Sequence, residues 1–177
     1  MALVTDSALA VVAWVLAALL YRARKPWPPA FVFTGIAAFL GGIYHGLFEH
    51  PTLWKATVYA VGLASFFLLF GSGGRGLRAL AAVKLAAYLI WMWLTDGFLW
   101  VIVDYGVTLL IVFAVHAMRK SPATKWIGGS IAVSIVGALV QQTRVTIDPY
   151  WLDFNDLYHL IQMGALWMLY RAGMLRA

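Results

Sequence analysis

The stretch that decides the fold is FLWVIVDYGVTLLIVFAVHAM, residues 98–118. It contains one acidic side chain, Asp104, and no lysine or arginine. An α-helix rises 1.5 Å per residue, so about 20 apolar residues cross the hydrocarbon core of a bilayer. The stretch therefore predicts a transmembrane helix, in which Asp104 lies roughly 10 Å from the end of the helix.

The composition of the whole chain agrees with that stretch. Of its 177 residues, 63% are hydrophobic and 11% are charged, and the mean hydropathy is +0.84. A soluble domain of this length cannot bury so much apolar surface, so we expect lipid to be the solvent. There is no cysteine, which excludes disulfides and thiolate metal sites. Any metal would be held by His, Asp, Glu or water.

Apolar runs on both sides of residues 98–118 predict an all-α, polytopic membrane protein with seven transmembrane helices in a single domain, residues 1–177. The hairpin Asp96-Gly97 separates the fourth helix from the fifth. The first run lacks a small-residue cleavage site, so we expect a retained helix and not a signal peptide. The predicted spans are Asp6–Tyr21, Pro29–Phe48, Leu53–Phe70, Leu77–Thr95, Phe98–Met118, Trp126–Gln142 and Asn155–Tyr170.

The basic residues predict the orientation of these helices. Ten of the 13 lysines and arginines follow odd-numbered spans: Arg22, Arg24, Lys25, Arg75, Arg78, Arg119, Lys120, Lys125, Arg171 and Arg176. The positive-inside rule makes their side cytoplasmic, with the N-terminus outside and the C-terminus inside. We therefore attribute the net charge of +6 to multi-pass topology and not to nucleic-acid binding. The membrane that we expect is a bacterial inner membrane.

Histidines and acids gather in the opposite half of the predicted bundle. The acids are Asp6, Glu49, Asp96, Asp104, Asp148, Asp153 and Asp156. His45 near the end of the second span and His159 near the start of the seventh lie at similar depth, whereas His116 lies at the inner end of the fifth. Ionisable groups are costly in lipid, so this clustering indicates a functional site.

Two polar stripes give this site its chemistry. His45 and Glu49 are four residues apart, as are Asn155 and His159, so each pair shares a helix face. Gln162 continues the second face one turn deeper. If the second and seventh helices pack together, the stripes meet and supply imidazole and carboxylate ligands of the kind that zinc prefers.

Several of these residues also have structural interpretations. Asp153 or Asn155 can be the N-cap of the last helix, with Asp156 in its first turn satisfying free backbone N–H groups. Pro51 ends the second helix, which leaves Glu49 at the interface. His50 is expected to be solvated there.

The deep carboxylate of Asp104 needs a partner. We expect it to be a metal ligand, a group that orients a ligand histidine, or a general base. Lys84 is expected to extend its ammonium toward the cytoplasmic interface. Arg144 can pair with an acid or an anionic headgroup, while Tyr44 and Tyr158 flank the two histidines and can contact substrate.

Seven helices with one histidine in the second and another in the seventh resemble the CREST superfamily, which includes alkaline ceramidases and PAQR receptors. His45 fits the helix-2 histidine of that family, and His159 fits one of its two helix-7 histidines. Gly41 and Asn155 stand where the family has serine and histidine. The flanking residues are also similar to an uncharacterised bacterial membrane family. The resemblance implies zinc and hydrolysis of a lipid-like amide.

Three functions follow as hypotheses. The first is a membrane-embedded zinc hydrolase acting on a lipid-like amide or ester, with His45, His159 and Asp104 on the metal and Asp104, Glu49 or Asp156 moving the proton. The substrate would contact Asn155, Gln162, Arg144, Tyr44 and Tyr158. The second is a small-molecule or proton-coupled transporter, and the third is a membrane sensor or structural subunit without turnover.

Overall fold

The computed structural model describes residues 2–95 and 97–175 and folds them into seven α-helices joined by short turns. The all-α prediction is confirmed. Asp96, which we expected in the hairpin, and Arg176 lie outside the described residues. The helices are α1 (Ala2–Arg22), α2 (Pro28–Gly46), α3 (Pro51–Phe70), α4 (Arg75–Leu94), α5 (Phe98–Met118), α6 (Thr124–Thr143) and α7 (Phe154–Met174).

Six of these helices, α1 to α6, are long and apolar enough to cross a membrane. The described residues therefore have the character of a multi-pass membrane protein. Helix α7 is as long as α5, but it begins with Asn155, Asp156, His159 and Gln162, which lower its hydropathy. The helix that carries most of the candidate site is therefore less apolar.

The helices form a closed ring in the order α1, α2, α3, α5, α6, α7, in which α7 packs back against α1. Helix α4 lies outside this ring, against α3. Helix α1 packs against both α2 and α7, so it separates the two helices that carry His45 and His159. The two polar stripes would meet directly only if α2 and α7 packed against each other, and in the described residues they do not.

Glycines bring α2 close to α1. A methyl group added at Gly35, Gly42 or Gly46 would lie 2.3 to 2.7 Å from the nearest atom of Trp14, Asp6 or Leu3, respectively. Small residues of this kind let two helix backbones approach in lipid, where packing and not hydrophobicity holds helices together. Helix α2 therefore approaches α1 closely.

The two ends of the bundle differ in charge. We call the end that holds the start of α1, the end of α2 and the start of α7 the acidic end, and the end that holds the α1–α2, α3–α4 and α5–α6 turns the basic end. Every described Asp and Glu lies toward the acidic end. Arg24 and Lys120, in turns at the basic end, both adopt positive φ (53° and 50°), the left-handed conformation in which glycine commonly terminates helices.

Candidate functional site

The ring of six helices encloses a cavity of about 470 Å³. All six contribute to its walls, and α4, outside the ring, contributes none. Most of the lining is apolar, with side chains such as Leu9, Val101 and Leu166. The polar part includes Asp6, Thr34, His45, Thr57, Ser130, Ser134, Gln141, Asn155, His159 and Gln162. An apolar chamber with a few convergent polar groups is the usual form of a small-molecule site.

The centre of the polar part is a contact between α1 and α7. Nε2 of His159 lies 3.1 Å from Oδ1 of Asp6, which places an Nε2–H in position to donate to the carboxylate. Both residues are buried, with 2% of Asp6 and 7% of His159 exposed. A carboxylate that binds one imidazole nitrogen holds the ring in one orientation and one tautomer. Nδ1 of His159 is then the nitrogen left to act on a ligand.

The start of α7 is built to hold His159 in place. The Asp153 side chain accepts from the backbone N–H groups of Asn155 and Asp156, and the Asp156 carboxylate accepts from the backbone N–H of Asp153, which completes a capping box. This confirms Asp153 as the N-cap. The Thr5 hydroxyl donates to Asp156 at 2.6 Å, so the same carboxylate also fastens α7 to α1, one residue before Asp6.

Several buried polar atoms around the cavity have no hydrogen-bond partner in the described part of the chain. They are Oδ2 of Asp6, Nδ1 of His159, Nδ2 of Asn155 and Oε1 of Gln141. Most buried polar groups in folded proteins are paired, so an exception calls for an explanation. All four belong to residues that line the central cavity, so this wall has unused hydrogen-bonding capacity.

His45 lies at the mouth of the cavity, since it lines the cavity and is also exposed at the acidic end. An arc of rings joins it to His159. Ring centroids are 6.0 Å apart from His45 to Trp54, from Trp54 to Phe98 and from Phe98 to Tyr158, and 5.2 Å apart from Tyr158 to His159. The structure thus brings the two histidines to one chamber, along its wall and not in direct contact.

Glu49 does not continue the helical face of His45. Helix α2 ends at Gly46, and Glu49 lies exposed in the turn before α3. The predicted i, i+4 pair is therefore wrong, because the chain leaves the helix before the second member. His50, expected to be solvated, is exposed and also serves as the N-cap of α3, where its Nδ1 accepts from the Thr52 N–H at 3.3 Å.

Asp104 does not lie with the histidines. Its carboxylate pairs with the ammonium of Lys84 in α4, and Lys84 also donates to the hydroxyl of Ser65 at 3.0 Å. Neither Lys84 nor Asp104 lines the cavity. Our expectation that Asp104 joins His45 and His159 on a metal is not what these contacts show, because a cation on the neighbouring helix neutralises it. Lys84 likewise points at Asp104 and not at the interface.

The remaining predicted residues divide between the cavity and its surroundings. Asn155, Tyr158 and Gln162 line the cavity. Asp156 is engaged in the capping box and with Thr5, and it is not among the lining residues. Tyr44 lies outside the lining and contacts the His45 ring edge to face, at a centroid distance of 5.1 Å. Arg144 is exposed at the end of α6, over the ring of Phe154, and is not among the lining residues, so its contact with a substrate stays a prediction.

No three His, Asp or Glu side chains within residues 2–95 and 97–175 are grouped as ligands of one metal ion. The closest approach to such a group is the Asp6–His159 pair, with His45 elsewhere on the same wall. In this arrangement Asp6 is bound to Nε2 of His159, so it acts on the histidine and is not a third independent ligand.

Sequence reasoning missed Asp6 as a site residue. It was placed in the correct half of the bundle, but nothing in its local sequence distinguishes it from an acid at the start of a helix. One signal was present in the sequence. Asp6 lies near the beginning of an apolar run, and a carboxylate buried there needs a partner. That partner, His159, is 153 residues away in the sequence, and the contact depends on α1 packing against α7.

The chain matches, over residues 1–177, the model of a family of unknown function, DUF6962, and it belongs to that family. Neither the curated proteins nor the solved structures contain a significant match to it.

Proposed function

We propose that this member of DUF6962 is a membrane-embedded hydrolase that cleaves a lipid-like amide or ester held in the central cavity. The observation that carries the proposal is the buried contact of His159 Nε2 with Asp6 Oδ1, at 3.1 Å, on the wall of an otherwise mostly apolar chamber. A histidine oriented by a carboxylate is a recurring acid–base element in hydrolysis.

The chamber suits a substrate with a long apolar part. Its volume of about 470 Å³ falls within the range typical of ligand cavities, roughly 300–1,000 Å³. Apolar walls such as Leu9, Val101 and Leu166 would take the hydrocarbon, and the polar part at the acidic end would receive the scissile group. A substrate lying this way has its reactive carbonyl near His159.

In the proposed reaction His159 is first a base and then an acid. Its Nδ1 takes a proton from water, and the hydroxide adds to the carbonyl carbon. Asp6 stabilises the imidazolium that forms, through Nε2. The imidazolium then returns its proton to the leaving amine or alcohol as the carbon–heteroatom bond breaks. The products are a carboxylic acid and the amine or alcohol, so one water is consumed.

Asn155 is the proposed stabiliser of the tetrahedral intermediate. It lies one helical turn before His159 on the same face, lines the cavity, and has a buried Nδ2 without a hydrogen-bond partner. An amide N–H donor that is already oriented before the reaction stabilises a developing oxyanion more than water does, because it need not reorient. This gives Asn155 a role beyond the first turn of α7.

Zinc stays a prediction of the CREST resemblance, with His45 and His159 as its histidines. No step of the proposed reaction uses zinc, because a third ligand is not grouped with these histidines among the described residues. Metal analysis of the purified chain tests it directly. If the purified chain holds about one zinc and a His45→Ala/His159→Ala double variant loses it, the proposed reaction would include a metal.

The proposed membrane arrangement has seven spans, including α7, with the acidic end outside the inner membrane and the basic end in the cytoplasm. The charge asymmetry of the two ends supports it. Since the chain has no cysteine, Asp148→Cys and Lys120→Cys give single labelling sites at opposite ends. An impermeant maleimide should label intact spheroplasts at position 148 and not at 120; the opposite pattern would reverse the orientation.

The hydrolase is tested with the full chain in detergent micelles. Fluorogenic long-chain amides and esters are offered as substrates, and fatty-acid release is measured. We expect turnover by the wild type and a loss of about 100-fold or more in His159→Gln, with His50→Gln, a change at an exposed histidine, close to wild type. Saturable binding without turnover, or equal rates in wild type and His159→Gln, would overturn the proposal.

A further inference from the structure

A second cavity, of about 440 Å³, lies at the basic end of the bundle. Three turns or helix ends that are distant in sequence form it: the α1–α2 turn, the α3–α4 turn and the end of α5. Four basic side chains line it, Arg24, Lys25, Arg78 and Arg119, together with Pro26 and glycines 71, 73 and 74. The central chamber at the other end shares none of these residues.

We propose that this basic cavity binds a phosphate group, either on the headgroup of an anionic lipid or on a soluble molecule. The proposal is independent of the hydrolase. Several arginines that converge from separate segments onto one concave site match the geometry of phosphate, which accepts multiple charge-assisted hydrogen bonds. Positive charge placed only for topology has no need to converge on a cavity.

No carboxylate competes for these arginines within the described residues. The lining contains no Asp or Glu, and every described acid lies toward the acidic end. Three arginines that line one cavity with no carboxylate among its lining residues give it a positive potential, which an anion would relieve. The other groups that face the cavity are glycine and proline backbone.

The cavity is built on a buried, hydrogen-bonded anchor at Ser72. The Ser72 hydroxyl accepts from the indole N–H of Trp27 at 3.1 Å and donates to the Leu68 carbonyl at 2.6 Å. Arg119 donates to the Ser72 carbonyl at 3.3 Å. Ser72 and Trp27 are both fully buried. These bonds fix the α1–α2 turn, the α3–α4 turn and the end of α5 to one another, so the site is formed before any anion arrives.

The start of α4 favours an anion at the same place. Helix α4 begins next to the cavity, at Gly74, with no side-chain cap and no acid in its first turn, so its free N–H groups and helix dipole are available to a phosphate. A methyl group at Gly74 would meet nothing within 4 Å, which means that the approach is open.

The test uses the full chain in neutral maltoside micelles. Inorganic phosphate is titrated by calorimetry, and phosphatidic acid or phosphatidylglycerol is offered against phosphatidylcholine and detected as retained lipid by native mass spectrometry. We expect saturable binding of one phosphate group per chain. Binding of the anionic lipids alone assigns the site to a membrane headgroup, and binding of inorganic phosphate as well assigns it to a soluble ligand.

Charge-neutralising variants make the test specific. Arg78→Gln and Arg24→Gln should each weaken binding about tenfold, the effect of one lost charge-assisted hydrogen bond. Lys125→Gln removes an exposed charge at the same end, outside the cavity, and should leave affinity within about twofold. Equal weakening by all three, or no saturable binding in either arm, would overturn the proposal. Unfolding temperatures of the variants show whether the fold is retained.

Discussion

A methyl group added at Gly42 of α2 would lie 2.7 Å from the Cβ of Asp6 in α1. Side chains do not approach so closely, so Gly42 is the reason that α1 can present Asp6 to His159. The neighbouring Gly41 differs, since a methyl group there would lie 3.6 Å from Thr57 and 3.7 Å from Asp6, at ordinary contact distances. Two adjacent glycines therefore have separable roles.

We predict that Gly42→Ala destabilises the protein by about 1–3 kcal/mol, because α1 must move or Asp6 must shift. Gly41→Ala is the matched control and should be neutral or slightly stabilising, since alanine is the better helix former. Thermal unfolding in detergent measures both. If the two variants unfold at the same temperature, Gly42 is not what sets the position of Asp6.

The Asp6–His159 contact gives a second prediction. Asp6→Asn keeps the size of the side chain and removes its charge, so the imidazolium of His159 loses its stabilisation. We expect the rate of hydrolysis to fall about 100-fold or more with little change in KM, because the substrate is bound mainly by the apolar wall. Asp148→Asn, at a half-buried acid of the α6–α7 loop outside the cavity lining, is the control, and an equal fall in both variants would contradict a specific role for Asp6.

Lys84 and Asp104 give a third prediction, on stability. Removing either partner leaves the other charge poorly solvated between α4 and α5, so Lys84→Met and Asp104→Leu should each cost about 3 kcal/mol. The double variant should recover most of that loss, because no unpaired charge remains. A double-mutant cycle from thermal unfolding measures the coupling, and additive losses would mean that the ion pair does not hold the two helices.

The same cycle addresses metal binding by Asp104. If that carboxylate were a zinc ligand, Asp104→Leu would lower the metal content while Lys84→Met would not. We expect neither variant to change it, since Asp104 faces the ammonium of Lys84 and not the histidines. Metal content is measured by elemental analysis on the same preparations.

The capping box at the start of α7 gives a fourth prediction. Asp153→Ala removes the acceptor of two backbone N–H groups and should cost about 1 kcal/mol. Asp153→Ser restores a capping oxygen and should lose much less. Hydrogen exchange should report faster opening of the first turn of α7 in Asp153→Ala only, and equal exchange in both variants would argue that Thr5 alone holds this helix end through Asp156.

The candidate site was partly predictable because helical spacing is local. The positions of His45, Asn155, His159 and Gln162 near one end of the bundle follow from counting residues along apolar spans, and the structure places all four on one cavity. Glu49 was misplaced for a local reason as well: α2 ends at Gly46, and spacing alone cannot say where a helix followed by a proline stops.

The sequence by itself determined the helices, the charge difference between the two ends and the depth of each polar group, because these depend on composition and on the 1.5 Å rise of a helix. Only the tertiary structure decided the partners. In it Asp6 contacts His159, Asp104 pairs with Lys84, and Arg24 and Arg78 line one cavity. Which residues become partners across helices depends on which helix faces pack. Packing in lipid is set by close approach at small residues such as Gly42, and close approach is a property of a pair of helices that the sequence of one span does not specify.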